Sequence, residues 1–204
     1  MKVVFASYNQ GKCDGYKNTC KNLGIELVSL SEIGCMEKVE ETGSNTLENA
    51  VIKAEFYHKL LGLPVISNDS GLIVSRFSKE NQPGVFVRRH NGREMTDEEL
   101  IATYEKLFEE VGGESEGVFS VSLAAINAKG QLFKREFHYS TFFKCPASKE
   151  RVKGLPFRSF EYDRKLKKHY AQFTDEDWIN ANDNAKNSDD IDEQSDFIKM
   201  AFKN

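Results

Sequence analysis

Lys2-Val3-Val4-Phe5-Ala6 runs directly into Ser7-Tyr8-Asn9-Gln10-Gly11, and that junction decides how the fold is read. The first stretch is β-branched and aromatic, as a short strand requires, and the second is largely made of turn formers. Lys12 to Leu23 is mostly polar with a weak helical pattern, after which Glu26 to Leu30 regains strand character. A strand, a loop, a helix and a second strand in that order predict an α/β sheet with its ligand site at the strand ends.

Further along, the signals sharpen. Asn45, followed three places on by Glu48, predicts a capping box that opens a helix from about Thr46 to Leu61. Leu47, Ala50, Val51, Ala54, Tyr57 and Leu61 recur at helical spacing and mark its core face, while Asn49 and Lys53 lie one turn apart on another face. Pro64 to Ser67 and Leu72 to Ser75 read as short strands on either side of a turn-like insert, Asn68-Asp69-Ser70-Gly71. Thr96 and Glu99 form a second capping box, and the helix behind it keeps its period through Val111 until Gly112 and Gly113. Val118 to Ile126 and Leu132 to Phe143 predict a hairpin turning at residues 127–130. Residues 163–192 read as loop and short helix, and residues 192–202 as a final helix.

Bulk properties bound the rest. With 204 residues, 39% of them hydrophobic, the chain can bury a sizeable core without disulfides, and one domain over residues 1–204 is expected. A formal charge of −4 argues against a general nucleic-acid or membrane-surface binder, so any anionic ligand must meet a local cluster of positive groups. Cys13, Cys20, Cys35 and Cys145 show no zinc-holding pattern and read as free thiols of a reducing compartment. The apolar start is too short for a signal peptide and no membrane-spanning run occurs, which points to the cytoplasm.

Three segments concentrate groups suited to phosphate chemistry. Ser7, Asn9 and Lys12 offer a hydroxyl, an amide and an ammonium in a glycine-containing loop before a helix. Glu40, Glu41, Thr42 and Gly43 precede the second helix and Asp69 follows a strand, so two loops could bring carboxylates to one point, as magnesium prefers. Asp69 is also placed to orient or deprotonate a water. Each segment has a plainer reading beside this one: a solvated turn, an acidic pair favouring a helix start, an aspartate closing a turn.

The run Ser7-x-Asn9-x-x-Lys12, Glu40-Glu41-Thr42-Gly43, Glu48-Asn49-Ala50-x-x-Lys53-Ala54, Asp69-Ser70-Gly71-Leu72 and Pro83-Gly84-Val85 resembles the Ham1-like inosine/xanthosine triphosphate pyrophosphatases in order and spacing. The resemblance holds over about residues 1–125 and returns more faintly at Phe160-x-Tyr162-Asp163 and Lys186. It implies an elongated, two-lobed α/β fold with a mixed central sheet flanked by helices and a nucleotide cleft between lobes. It further implies a homodimer and an enzyme that uses Mg2+ to cut a nucleoside triphosphate into a monophosphate and pyrophosphate. On this resemblance Ser7, Asn9, Lys12 and Lys53 hold the triphosphate and Ser70 touches substrate. Glu41 and Asp69 bind the metal, Asp69 also acts on water, Phe160 stacks on the base with Tyr162 and Asp163 in support, and Lys186 approaches base or sugar.

The departures cluster on the base side. The family pattern has two aspartates before the Ser-Gly pair, and here the first is Asn68. Its glycines around the base-stacking phenylalanine are Ser159 and Glu161, and its following proline is Arg164. Its Ser-His-Arg, which would donate to the carbonyl groups of an oxidised purine, is replaced by Asp190-Ile191-Asp192, unless Arg164 or His169 takes over. Two functions are therefore expected to compete: a magnesium-dependent pyrophosphatase with altered base preference, and a catalytically weakened paralogue that binds nucleotide as a sensor or scaffold.

Overall fold

The computed structural model describes residues 1–85, 87–90, 93–178 and 190–203, with the backbone alone at 90 and 190–192. The chain forms two compact units. The first comprises Met1–Ser70, Ser120–Phe137 and Asp190–Asn204, and the second Gly71–Phe119 and His138–Asp189. A five-stranded sheet of order β2-β1-β3-β6-β7 contributes to both, built from β1 (Lys2–Phe5), β2 (Glu26–Ser29), β3 (Val65–Val74), β6 (Glu114–Ile126) and β7 (Leu132–Lys144).

In the first unit β1 runs parallel to β2 and β3, with Val4 beside both Val28 and Val65. Val3, Val4 and Phe5 are fully buried, because a parallel strand here is covered on both faces. The loop after β1 ends at Asn9, whose side chain caps α1 (Gln10–Asn22) by accepting from the Lys12 amide. Asn45 caps α2 (Thr46–Leu61) in the same way, and Gly62 closes that helix in the left-handed region at φ 65°. The expected box at Asn45 forms only in part: the Glu48 carboxylate accepts from the Ser44 amide and hydroxyl, one residue further back. Val4, Ala6, Val65, Ala124 and Ile126 of the sheet pack on Ala50, Ala54 and Tyr57 of α2.

One expectation is corrected. Residues 65–74 form a single continuous strand, not two strands around a turn at 68–71. Polar Asn68, Asp69 and Ser70 stay in the ladder because α1 and α2 supply partners for their side chains, so no turn is needed to expose them. The predicted hairpin does form, with longer arms. The Asn127 amide donates to the Gln131 carbonyl at one end and the Cys145 amide to the Gly113 carbonyl at the other, which makes β6 and β7 antiparallel and the whole sheet mixed. The final helix α4 (Asp190–Phe202), fourth after α3 (Asp97–Glu110), starts two residues earlier than expected.

In the second unit the Thr96 and Glu99 box is complete and opens α3. Its Leu100, Ile101, Tyr104 and Phe108 pack on Leu72, Val74, Phe143, Phe157 and Phe160. Two short antiparallel ribbons complete the unit: β4 (Arg89–His90) with β5 (Arg93–Glu94), and β8 (Tyr162–Asp163) with β9 (Lys168–His169). Gly117 of β6 is fixed by packing: a Cβ there would lie 2.6 Å from a Phe143 ring carbon and 2.8 Å from the Ile73 carbonyl oxygen. Since the second neighbour is backbone, Gly117→Ala should destabilise the protein by about 1–3 kcal/mol. A urea midpoint equal to that of the natural sequence would show that the strands yield without strain.

Candidate functional site

β3 organises the first unit's polar groups by its two-residue period. Successive side chains point to opposite faces of a strand, so Asn68 and Ser70 face one way and Ser67 and Asp69 the other. On the first face, Lys12 of α1 donates from Nζ to Ser70 Oγ at 2.8 Å, and Asn68 Nδ2 donates to Tyr16 Oη at 3.3 Å. On the second, Ser67 Oγ donates to the Ala50 carbonyl of α2, and Asp69 meets Lys53 and Asn49 of the same helix.

The first loop is ordered by its own side chains. Ser7 Oγ accepts from the Asn9 amide at 3.1 Å, and Asn9 Oδ1 accepts from the Lys12 amide at 3.1 Å. Ser7, Asn9 and Lys12, expected to hold the triphosphate, and Ser70, expected to touch substrate, are thus linked through one loop, one helix turn and one strand. The loop is also tied to the thirties: Tyr8 Oη donates to the Glu37 carbonyl, which accepts from Tyr57 Oη as well.

On the α2 side the two carboxylates expected to hold metal meet a lysine. Lys53 Nζ lies 2.8 Å from Asp69 Oδ1 and 3.3 Å from Glu41 Oε2. Lys53 and Asp69 are each only 7% exposed, so the pair stands largely out of water, where an unpaired charge would be costly. Among the described residues no group of three or more His, Cys, Asp or Glu is placed to hold a metal. Glu41 and Asp69 are a two-carboxylate set, of the sort magnesium uses when substrate phosphates complete its shell. On α1, burial pushes the Cys13 thiol up to about 11 and the Cys20 thiol to about 12.

Asn49 was not singled out for a role by sequence, yet it joins the two acidic segments. It is fully buried, accepts from the Gly43 amide at 2.8 Å and donates to Asp69 Oδ2 at 3.4 Å. A Cβ on Gly43 would lie 2.6 Å from Asn49 Oδ1 and 2.9 Å from the Asn49 amide, so the loop carrying Glu41 needs glycine to come this close. The spacing of Asn49 and Lys53, one helical turn, was the available signal. Tyr16 was also missed: it accepts from Asn68 and donates to Gln194 Oε1 of α4 at 2.7 Å. Asn68 therefore acts as a donor, a role an ionised aspartate could not fill.

Phe160, Tyr162 and Asp163, given to the base by resemblance, lie in the second unit. Phe160 is 1% exposed and packs on Phe108 and Phe157, with ring centroids at 5.0 and 6.4 Å, so protein covers its ring. Asp163 closes the β8–β9 turn by accepting from the Lys165 and Leu166 amides. Tyr162 is half-buried, with the Lys144 ammonium 4.8 Å from its ring centre. A shallow pocket of roughly 300 Å³ there is lined by Glu114, Phe142, Lys144, Tyr162, Arg164 and Lys167. Both substitute donors are engaged within the protein. Arg164 pairs with Glu116 and covers the Phe142 ring, and His169 Nε2 bonds to the Lys144 carbonyl. Lys186 lies outside the described residues.

Residues 3–141 match the model of the Ham1 family, which covers more than half of the sequence. The chain belongs to the Ham1 family. Among its relatives, the dITP/XTP pyrophosphatase of Thermoanaerobacter pseudethanolicus is 34% identical over 62% of this chain and 63% of its own length. That of Christiangramia forsetii is 38% identical over 64% of this chain and 66% of its own. The matched stretch thus spans less than two thirds of these curated Ham1 relatives. The solved Ham1 protein of Staphylococcus aureus superposes with a TM-score of 0.68 at 26% identity, over 98% of this chain and 99% of that one. A Ham1 protein of Coxiella burnetii shares the fold with a TM-score of 0.71 at 24% identity, over 98% of this chain and all of that one.

Glu161, one of the departures from the Ham1 pattern, is buried in the second unit. Burial raises its carboxyl above the ordinary carboxylate range, while Arg158 at 3.5 Å and the Thr141 hydroxyl act in the opposite direction. A folded-state pKa raised above the unfolded one contributes stability that is full below about 4.5 and is lost as pH rises through the folded value. Glu161→Gln keeps the volume and removes the ionisation. Its urea midpoint should equal or exceed that of the natural sequence at pH 7, and the difference between the two should shrink toward pH 4. A variant clearly less stable at pH 7 would mean that the Arg158 pair outweighs burial.

Proposed function

We propose that this chain is a magnesium-dependent pyrophosphatase of purine nucleoside triphosphates, non-canonical ones included, with altered base preference, giving a monophosphate and pyrophosphate. The observation that carries the proposal is the junction of the buried Lys53 and Asp69 with Glu41, set across β3 from Lys12 and Ser70. Family membership and relatives named dITP/XTP pyrophosphatase support the same reaction. The same proposal takes residues 1–204 as one Ham1-like domain that works in the cytoplasm as a homodimer. The free state of all four cysteines is in keeping with a reducing compartment, and no helix among the described residues is long and apolar enough to cross a membrane.

In this mechanism Ser7, Asn9 and Lys12 receive the β- and γ-phosphates through the loop and first turn of α1, where amides and an ammonium converge. Lys53 adds charge from α2. Asp69 accepts the proton of a water as its oxygen bonds to the α-phosphorus, and the bond from that phosphorus to the bridging oxygen breaks, releasing pyrophosphate. Glu41 and Asp69 are the residues that would hold magnesium, which when bound would supply positive charge to the phosphate oxygens. Asn49 is a positioning residue that keeps Asp69 and the Gly43 loop together. Phe160, Tyr162, Asp163 and Lys186 remain the residues assigned to the base by resemblance, with the burial of Phe160 weighing against it as a stacking surface.

A second reading, a weakened paralogue that binds nucleotide without turning it over, is favoured by one observation. Asn68 brings no negative charge and spends its amide on Tyr16. A pyrophosphate-release screen in magnesium across inosine, xanthosine and standard triphosphates separates the two, since a sensor binds and releases nothing. The enzyme reading predicts release with at least one deaminated purine nucleotide, and Asp69→Asn should lower it by about 100-fold or more. Turnover that survives Asp69→Asn nearly intact would remove Asp69 from the mechanism.

With Asp190-Ile191-Asp192 in place of the Ser-His-Arg donors, discrimination between inosine and adenosine triphosphates, as a ratio of kcat/KM values, should be about 10-fold or less, or neither should turn over appreciably. A preference near 1,000-fold for inosine triphosphate would show that other groups have replaced those donors.

A further inference from the structure

Lys53 stands on the same two carboxylates that the proposed function gives to the metal. Its ammonium lies 2.8 Å from Asp69 and 3.3 Å from Glu41, and it is as buried as the aspartate it neutralises. A carboxylate buried in a strand interior is stabilised in its ionised form by a cation beside it, and in this structure α2 provides one. Lys12 is no substitute, because it serves Ser70 on the opposite face of β3.

We propose that Lys53 is a built-in counter-ion that makes divalent metal and triphosphate bind as a pair. Without substrate, Lys53 holds Glu41 and Asp69. A triphosphate offers the ammonium other anions, Lys53 turns to them, and both carboxylates become available to the divalent cation. Metal alone is disfavoured, because Lys53 would then be left as a buried cation beside a second positive charge, where water screens little. Triphosphate alone is disfavoured for the converse reason: Asp69 would lose its partner when Lys53 leaves. Each ligand therefore raises the affinity for the other by the same factor. This inference rests on the pyrophosphatase reading and adds to it a coupling between the two ligands that the carboxylates by themselves would not impose.

The test uses Mn2+ as the probe, titrated by calorimetry into the full chain and into Lys53→Met and Lys53→Gln, each checked for cooperative melting. The neutral variants should bind Mn2+ alone about 10-fold or more tightly than the natural sequence. An α,β-methylene analogue of inosine triphosphate should raise the affinity of the natural protein for Mn2+ by a similar factor, after correction for chelation by the free analogue. In the variants that enhancement should largely disappear. If both variants bind Mn2+ no more tightly than the natural protein, while that protein releases pyrophosphate from inosine triphosphate, the counter-ion role is wrong and the enzyme reading stands. A natural protein that neither releases pyrophosphate nor binds Mn2+ with the analogue overturns both. Should both variants fail to fold, the natural protein decides: equal Mn2+ affinity with and without the analogue overturns the coupling.

Discussion

An ionised aspartate in the interior of a buried strand must be paired, and the first unit is arranged around that requirement. Asp69 takes Lys53 on one oxygen and Asn49 on the other, both from α2. To reach Asp69, that helix must lie against this face of the sheet with Asn49 and Lys53 turned inward, one turn apart. Its apolar residues Ala50, Ala54 and Tyr57 then seal the same face. Asn49 in turn captures the Gly43 amide and thereby fixes the loop that carries Glu41. One charge in a strand thus sets the seating of a helix and the course of the loop before it.

The opposite face of β3 follows from the strand period. Ser70 and Asn68 point toward α1, where Lys12 and Tyr16 meet them, and Tyr16 passes its own proton on to Gln194 in α4. The change from aspartate to Asn68 is consistent with that chain of donors: an amide can give a hydrogen to Tyr16 and leave the phenol free to donate to Gln194. Seen this way, Asn68 is not merely a lost charge. It exchanges an acidic group for a link between α1, β3 and α4.

The second unit treats its charges differently. Its core is a cluster of aromatic rings, with Phe108, Phe143, Phe157 and Phe160 in mutual contact, and Glu161 stands at its edge with Arg158 and Thr141 as partners. Arg158 also lies over the rings of Tyr170 and Trp178. The residues that depart from the family pattern here are thus engaged within the protein: Ser159 is fully buried and donates to the Glu150 carbonyl, and Arg164 covers Phe142. Their side chains serve packing and pairing within the second unit.

The elements whose causes are local were legible in the sequence. Asn45 and Thr96 announce helices because a cap needs only the next three residues, and the β6–β7 turn forms because Asn127 bonds to its own loop at Lys129 and Gln131. The sequence also marked Ser7, Asn9, Lys12, Glu41, Lys53 and Asp69, chiefly through their resemblance to the Ham1 motifs. It did not show that Asn68-Asp69-Ser70 remains strand, that Lys53 stands between Glu41 and Asp69, or that Phe160 is enclosed. Those outcomes depend on partners far along the chain: Lys12 is 58 residues from Ser70, Tyr16 is 52 from Asn68 and Lys53 is 16 from Asp69. A run of polar residues has a turn-forming preference of its own, but whether it must reach water depends on the hydrogen bonds offered to it, and only the folded chain brings α1 and α2 to β3 to offer them.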